Sequence, residues 1–211
     1  MKKAIVFVDA NNWYNNIKKI LEPGEVDIIK SAKLLCDIKG YSLLKIKWYA
    51  STPSIADGER MYYKHMSFLE NLGKRGVEVI TRKLQRLSNA EIIRKRVETI
   101  RSLDLCNNCR PIVESAFLDI ADTQKKEKGI DVWVAVDMIK ESVIDNNCDI
   151  CLLISGDADF VPALSLIESH GKEVLTAMVP FGYSSELRNK FPFFILRKET
   201  LMKCLRDYAE S

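Results

Sequence analysis

Histidine is nearly absent from this chain, with two among 211 residues. Glycine (9) and proline (6) are also sparse, which excludes a collagenous, linker-like or low-complexity protein. Long apolar runs are missing too. The longest wholly apolar uncharged stretches, such as Ala4 to Val8 and Ile150 to Ile154, hold about five residues, against the roughly 20 that a membrane-spanning helix needs. In the opening MKKAIVFVD, Asp9 interrupts the apolar run after five residues, short of the roughly 7 to 15 of a secretory signal core. We therefore expect a cytoplasmic protein with no membrane partner, whose six cysteines are thiols or metal ligands rather than disulfides.

What is present describes a globular chain. Hydrophobic residues make up 47% and charged residues 29%, with 32 Lys+Arg against 29 Asp+Glu for a net charge of +3. That is enough apolar side chain for a full core, and disorder as the dominant state is excluded. The length fits one domain over residues 1–211, with a modest insertion.

Short runs rich in Val, Ile and Leu recur at Ala4 to Val8, Leu43 to Tyr49 (interrupted by Lys45 and Lys47), Val77 to Ile80, Ile150 to Ile154, Val174 to Val179 and Phe193 to Leu196. Between most of them the apolar spacing is helical. Met61, Tyr62, His65, Met66, Leu69 and Leu72 share one helix face, and Phe160, Val161, Leu164 and Ile167 another. Strands buried on both faces and alternating with amphipathic helices predict an α/β three-layer sandwich around a mainly parallel sheet. Glu98 to Lys128 breaks the alternation and is expected to be the insertion. Lys198 to Tyr208 is expected to be a final packing helix.

Two apolar strands run directly into acids, AIVFVD at Asp9 and CLLISGD at Asp157, with Asp159 two residues on. In an open parallel sheet the crevice beyond the carboxyl ends of the strands binds ligands. Asp131, opening the helix DVWVAVDMIKES, is a fourth candidate for that edge, and Asn12 could add a neutral oxygen or a hydrogen bond to substrate. Clustered carboxylates repel unless a cation neutralises them, and an oxygen-only donor set suits Mg2+ or Mn2+ rather than Zn2+. Taken singly, Asp131, Asp157 and Asp159 could each simply cap a helix. The combination points to a metal site.

FVDANN, KGIDVWVAVDM and LLISGDADFVPAL, in this order and spacing, resemble the three motifs of NYN domains, a branch of the PIN-like metal-dependent nucleases. The resemblance covers about residues 3 to 197. It implies a PIN-like fold and places Asp9, Asp131, Asp157 and Asp159 around a divalent metal, with Asn12 at the polar position after the first acid. Asp137 also matches a recurrent family acid, but six residues along one helix turn it away from Asp131. Ala10 replaces a common glycine, and Pro192 stands where a late acid is expected.

The implied activity is phosphodiester hydrolysis, with RNA the favoured substrate. His65 and His170 both fall within predicted helices, so neither suggests a Ser/His/Asp or Cys/His centre, and His65 reads as a packed core residue. Between Thr81 and Arg101, Arg82, Lys83, Arg86, Arg94, Lys95, Arg96 and Arg101 oppose only Glu91 and Glu98, a net +5 in a chain whose total is +3. Such a stretch can bind a phosphate backbone or merely be solvated. Trp13, Tyr14 and Phe181 are candidates either for base stacking or for the core.

Cys106-Asn-Asn-Cys109 and Cys148-Asp-Ile-Cys151 suggest a zinc site, although 38 residues between the pairs exceed the usual roughly 15 to 20. Alternation along the strand is expected to point Cys148 away from Cys151. Zinc at Cys106 and Cys109 and assembly into a homo-oligomer both stay open. Two other functions compete: a PIN-like module that binds RNA or protein without cutting, and, more weakly, a haloacid-dehalogenase-like phosphatase suggested by Asp157-Ala158-Asp159.

Overall fold

The computed structural model describes residues 1–53, 55, 58–83, 85–86, 90–122, 125–126 and 129–207; residues 83, 85–86, 90–93, 95, 116–122 and 125–126 are described by backbone alone. Two compact units result. One joins residues up to 82 with those from 129 onward, and the other is Lys83–Lys128.

In chain order the first unit runs β1 (Lys3–Asp9), α1 (Ala10–Ile17), α2 (Ile28–Lys39), β2 (Ser42–Thr52), α3 (Glu59–Lys74) and β3 (Glu78–Lys83). The second holds β4 (Gln85–Arg86), α4 (Ala90–Ser102), α5 (Cys109–Asp122) and β5 (Lys125–Lys126). The first unit resumes with α6 (Ile130–Ile139), a π-helical turn (Lys140–Ile144), β6 (Ile150–Ile154) and a 3-10 turn (Ala158–Phe160). It ends with α7 (Val161–Ser169), β7 (Glu173–Met178), α8 (Ser185–Lys190), β8 (Phe193–Ile195) and α9 (Lys198–Met202).

Six strands form an all-parallel sheet in the order β3-β2-β1-β6-β7-β8. Side-chain alternation builds a layer on each face. Ala4, Val6 and Val8 of β1 join Ile150, Leu152 and Ile154 of β6 in a core with Trp13, Ile17, Leu35, Leu69 and Leu72 of α1, α2 and α3. On the other face Ile5, Phe7, Cys151 and Leu153 meet Val134, Met138, Leu164, Ile167 and Leu187 of α6, α7 and α8. This is the expected α/β sandwich, and the continuous apolar runs follow from burial on both faces.

In the second unit β4 and β5 pair antiparallel, Gln85 opposite Lys126 and Arg86 opposite Lys125, and α4 packs against α5. The unit begins at Lys83, ahead of the Glu98 boundary expected for the insertion. The final helix stops at Met202. Beyond it the chain bridges back, Asp27 N–H donating to Cys204 O at 2.7 Å and Val26 pairing with Leu205, which pulls it off the helical path. Tyr208, the expected helix end, lies outside the described residues.

Cys148 and Cys151 do not diverge as expected. Both are buried in the same apolar core, because Cys148 precedes the strand and its backbone is free of the strand's alternation. Burial pushes both thiols up, away from the thiolate that zinc requires.

Candidate functional site

The strand order reverses at β1, with β2 on one side and β6 on the other. That is the switch point of the sheet, where connections diverge and leave a crevice at the carboxyl ends. Asp9 closes β1 here with only 4% of its surface exposed, and the Ser155-Gly156-Asp157 loop leaves β6 beside it. The Asp9 carboxylate accepts from Asn12 N–H (3.0 Å) through Oδ1 and from the Ser155 hydroxyl (3.0 Å) through Oδ2. Ser155 Oγ accepts in turn from Asp157 N–H at 3.2 Å, and Asp157 Oδ1 accepts from Asp159 N–H at 3.0 Å. One chain of hydrogen bonds therefore links the two strand-end acids. Asp9 is also the N-cap of α1.

Two glycines let two loops and α1 close on this edge. A Cβ on Gly156 would stand 2.7 Å from both the Gly182 carbonyl oxygen and Tyr183 Cα, backbone atoms that cannot swing aside. Gly182 has φ +69, and a Cβ there would run into the Asn16 amide. Gly156 O accepts from Ser184 N–H at 2.8 Å, while Gly156 N–H donates to Asn12 Oδ1 at 3.1 Å. Asn12 Oδ1 also accepts from Asn16 Nδ2 at 3.1 Å.

This fold agrees with what comparison finds. The family model of the NYN domain matches residues 3–197. The chain belongs to the NYN domain family. Among solved structures, a protein of unknown function from Vibrio parahaemolyticus resembles the NYN chain at TM-score 0.57 and 18% identity, covering 97% of this chain and 96% of its own. At that identity the likeness speaks for the fold alone. A short-chain dehydrogenase from Oenococcus oeni aligns at TM-score 0.27 and 12% identity over 91% of this chain and 84% of its own, too weak to bear on it. No curated protein matches the chain.

The other two sequence-predicted acids of the NYN domain lie on α6 and the 3-10 turn. Asp131 lies in the first turn of α6, where Gly129 rather than the acid stands at the cap, and α6 packs against β1 and the 3-10 turn. Asp159 is exposed within that turn; it caps nothing, whereas Asp157 caps the turn. Among the described residues no group of three or more His, Cys, Asp or Glu is gathered closely enough to hold a metal ion. The NYN domain is PIN-like, and its family consists typically of nucleases that commonly use divalent metals.

Asp137 is held elsewhere. It accepts from Tyr49 Oη and Lys47 Nζ, each at 2.9 Å, in an ion network with Glu78, Glu141 and Lys45. Burial alone would raise the Glu141 carboxyl, but hydrogen bonds from Lys47, Asn147 and Lys45 outweigh it and hold the group at about 2. The signal for this network was legible: Lys45, Lys47 and Tyr49 alternate on one face of an otherwise apolar strand.

Of the basic stretch, Arg82 donates to Gly129 O at 3.3 Å, Arg94 is exposed with Glu98 at 3.9 Å, and Arg96 is half-buried. The side chains of Lys83, Arg86 and Lys95 lie outside the described residues. Trp13 is core, whereas Tyr14 (56%) and Phe181 (51%) are exposed. His65 packs half-buried, and burial lowers its basicity. Cys106 and Cys109 are exposed; hydrogen bonds from the Cys109 thiol and nearby N–H groups lower Cys106, while Cys109 is raised.

Proposed function

We propose that this NYN domain is a divalent-metal-dependent nuclease that hydrolyses phosphodiester bonds, with RNA as its substrate. The observation that carries this is the pairing of Asp9 and Asp157 through Ser155 at the switch point of the sheet. The donors fit Mg2+ or Mn2+ in type, being carboxylate oxygens. Their number fits as well, because Mg2+ commonly takes one or two carboxylates and completes its shell with water and substrate phosphate. Asp9 and Asp157 would hold the ion, with Asp159 and Asp131 at its margin. When bound, it supplies an activated water and neutralises charge on the phosphate.

The chain's own contribution is positional. Ser155 and the Asn12 N–H each fix one Asp9 oxygen, so the acid is oriented before substrate arrives. Asn12 has its oxygen committed to Gly156 N–H, which leaves its Nδ2 hydrogens as the group to offer to a substrate oxygen rather than a metal ligand. Lys83, Arg86, Arg94, Lys95, Arg96 and Arg82 would add attraction for the phosphate backbone. Six free thiols accord with work in the cytoplasm.

Cleavage of labelled single-stranded RNA, structured RNA and single-stranded DNA with Mg2+, Mn2+ or EDTA, comparing wild type with Asp157→Asn, tests the proposal. Products that require metal and vanish in the variant are expected. Equal products from both proteins would assign the activity to a contaminant. The competing function is an RNA-holding module that does not cut; tight RNA binding without product on any substrate would select it.

A further inference from the structure

Beside the acid edge lies a hollow of about 330 Å³ lined by Pro180, Tyr183, Arg188, Phe193, Ile195 and Arg197. Its volume falls in the range of small-molecule sites. The Arg188 guanidinium stands 5.2 Å from the Phe193 ring centre and 5.8 Å from that of Tyr183, and Nη1 donates to Tyr183 Oη at 3.3 Å. Two aromatic rings thus fix the cation without neutralising it. A guanidinium carries five N–H donors in a rigid fork, and one hydrogen bond to a phenol leaves most of them for another acceptor. Among the described residues no carboxylate forms an ion pair with Arg188 or Arg197.

Two uncompensated guanidinium groups in one aromatic hollow match an anion that carries a flat ring. Position narrows this further. Tyr183, one wall of the hollow, is the residue whose Cα would meet a Cβ on Gly156, and Ser184 N–H binds Gly156 O. Gly156 immediately precedes Asp157, so the hollow adjoins the acid-bearing loop.

We propose that this hollow is a nucleotide subsite for an unpaired strand of the substrate: Arg188 and Arg197 take a backbone phosphate next to the bond that is cut, and the attached base lies against the aromatic wall. The inference rests on the nuclease function proposed above and specifies its substrate as single-stranded. In a duplex the bases face inward and stack on their neighbours, so only an unpaired nucleotide can place both its base and its phosphate in a concave site.

The test is fluorescence anisotropy in EDTA with a labelled single-stranded oligoribonucleotide and its matching duplex, over a range of salt. We expect R188A/R197A to bind the single strand about tenfold more weakly, as loss of charge-assisted hydrogen bonds implies. Its slope of log affinity against log salt should fall by about 0.7 for each phosphate no longer neutralised. R188K/R197K keeps the charge but not the fork, and is expected to lose at least about threefold. K33A, on the outer side of α2, should bind as wild type does. Wild-type affinity and slope in R188A/R197A would overturn the subsite, as would an equal loss for single strand and duplex. Should the alanine pair fail to melt like wild type, unchanged affinity in R188K/R197K overturns it instead. Because EDTA removes cleavage, the two proposals fail separately. Binding through the arginines without metal-dependent products sinks the nuclease alone, and Asp157-dependent cleavage with unaltered affinity in the arginine variants sinks the subsite alone.

Discussion

At Gly156 one hydrogen atom decides whether two loops can meet. A Cβ there confronts backbone of Gly182 and Tyr183 rather than a movable side-chain tip. Gly156→Ala should therefore destabilise the fold by about 2 to 4 kcal/mol, read from urea unfolding, since overpacking against backbone is not relieved by a rotamer change. Glu141 gives a prediction in pH. Its folded value of about 2 lies below the ordinary 4.5, so the unfolded chain binds the proton more tightly. The stability it contributes is complete above about pH 4.5 and drains as pH falls towards 2. Glu141→Gln should flatten the stability profile in that window, and a profile as steep as wild type would discount the network. Asp9 and Asp157 were legible as residues because each ends an apolar run. Ser155, Asn16 and Gly182 were not, because their importance lies in contacts between segments far apart in sequence.

Among the elements, α6 shows how a charged contact can locate a helix. Its last turn passes into a π-helical turn with Asp145 N–H bonded to Lys140 O at 2.8 Å, and Glu141 in that turn is buried. Lys47 of β2, itself buried, meets Glu141 and Asp137 at 2.9 Å each and so ties α6 to the sheet. Lys47→Met would leave two carboxylates without their main cation. We expect a loss of about 3 to 5 kcal/mol in thermal or urea unfolding, the usual cost of stripping one partner from a buried pair. Because Asp131 lies on the first turn of the same helix, metal-dependent cleavage by the folded fraction should fall too. Helical periodicity revealed α3 and α7 in the sequence. It could not reveal the π turn, in which Glu141 meets a lysine from another element.

On the scale of the whole molecule, the two residues of the first unit that flank 83–128 lie close together, since Arg82 donates to Gly129 O at 3.3 Å. Replacing 83–128 by a linker of about five residues, an ordinary length for such a connection, should leave a chain that unfolds cooperatively. Single-strand affinity should weaken and lose salt dependence, because most of the basic stretch departs with the excised unit. Broad, non-cooperative unfolding would mean that the larger unit needs the smaller.

Composition and local pattern by themselves determined an α/β sandwich, which runs would be strands, and the acids at their ends, because burial on two faces and a strand's abrupt exit into a polar loop both leave marks within a few residues. Only the tertiary structure decided the strand order. That order puts β1 beside β6 and so brings Asp9 to Ser155 and Asp157, and it sets Arg188 against two rings beside that loop. Such placements depend on which strand pairs with which, a choice made by the packing of the entire sheet and recorded in no single segment.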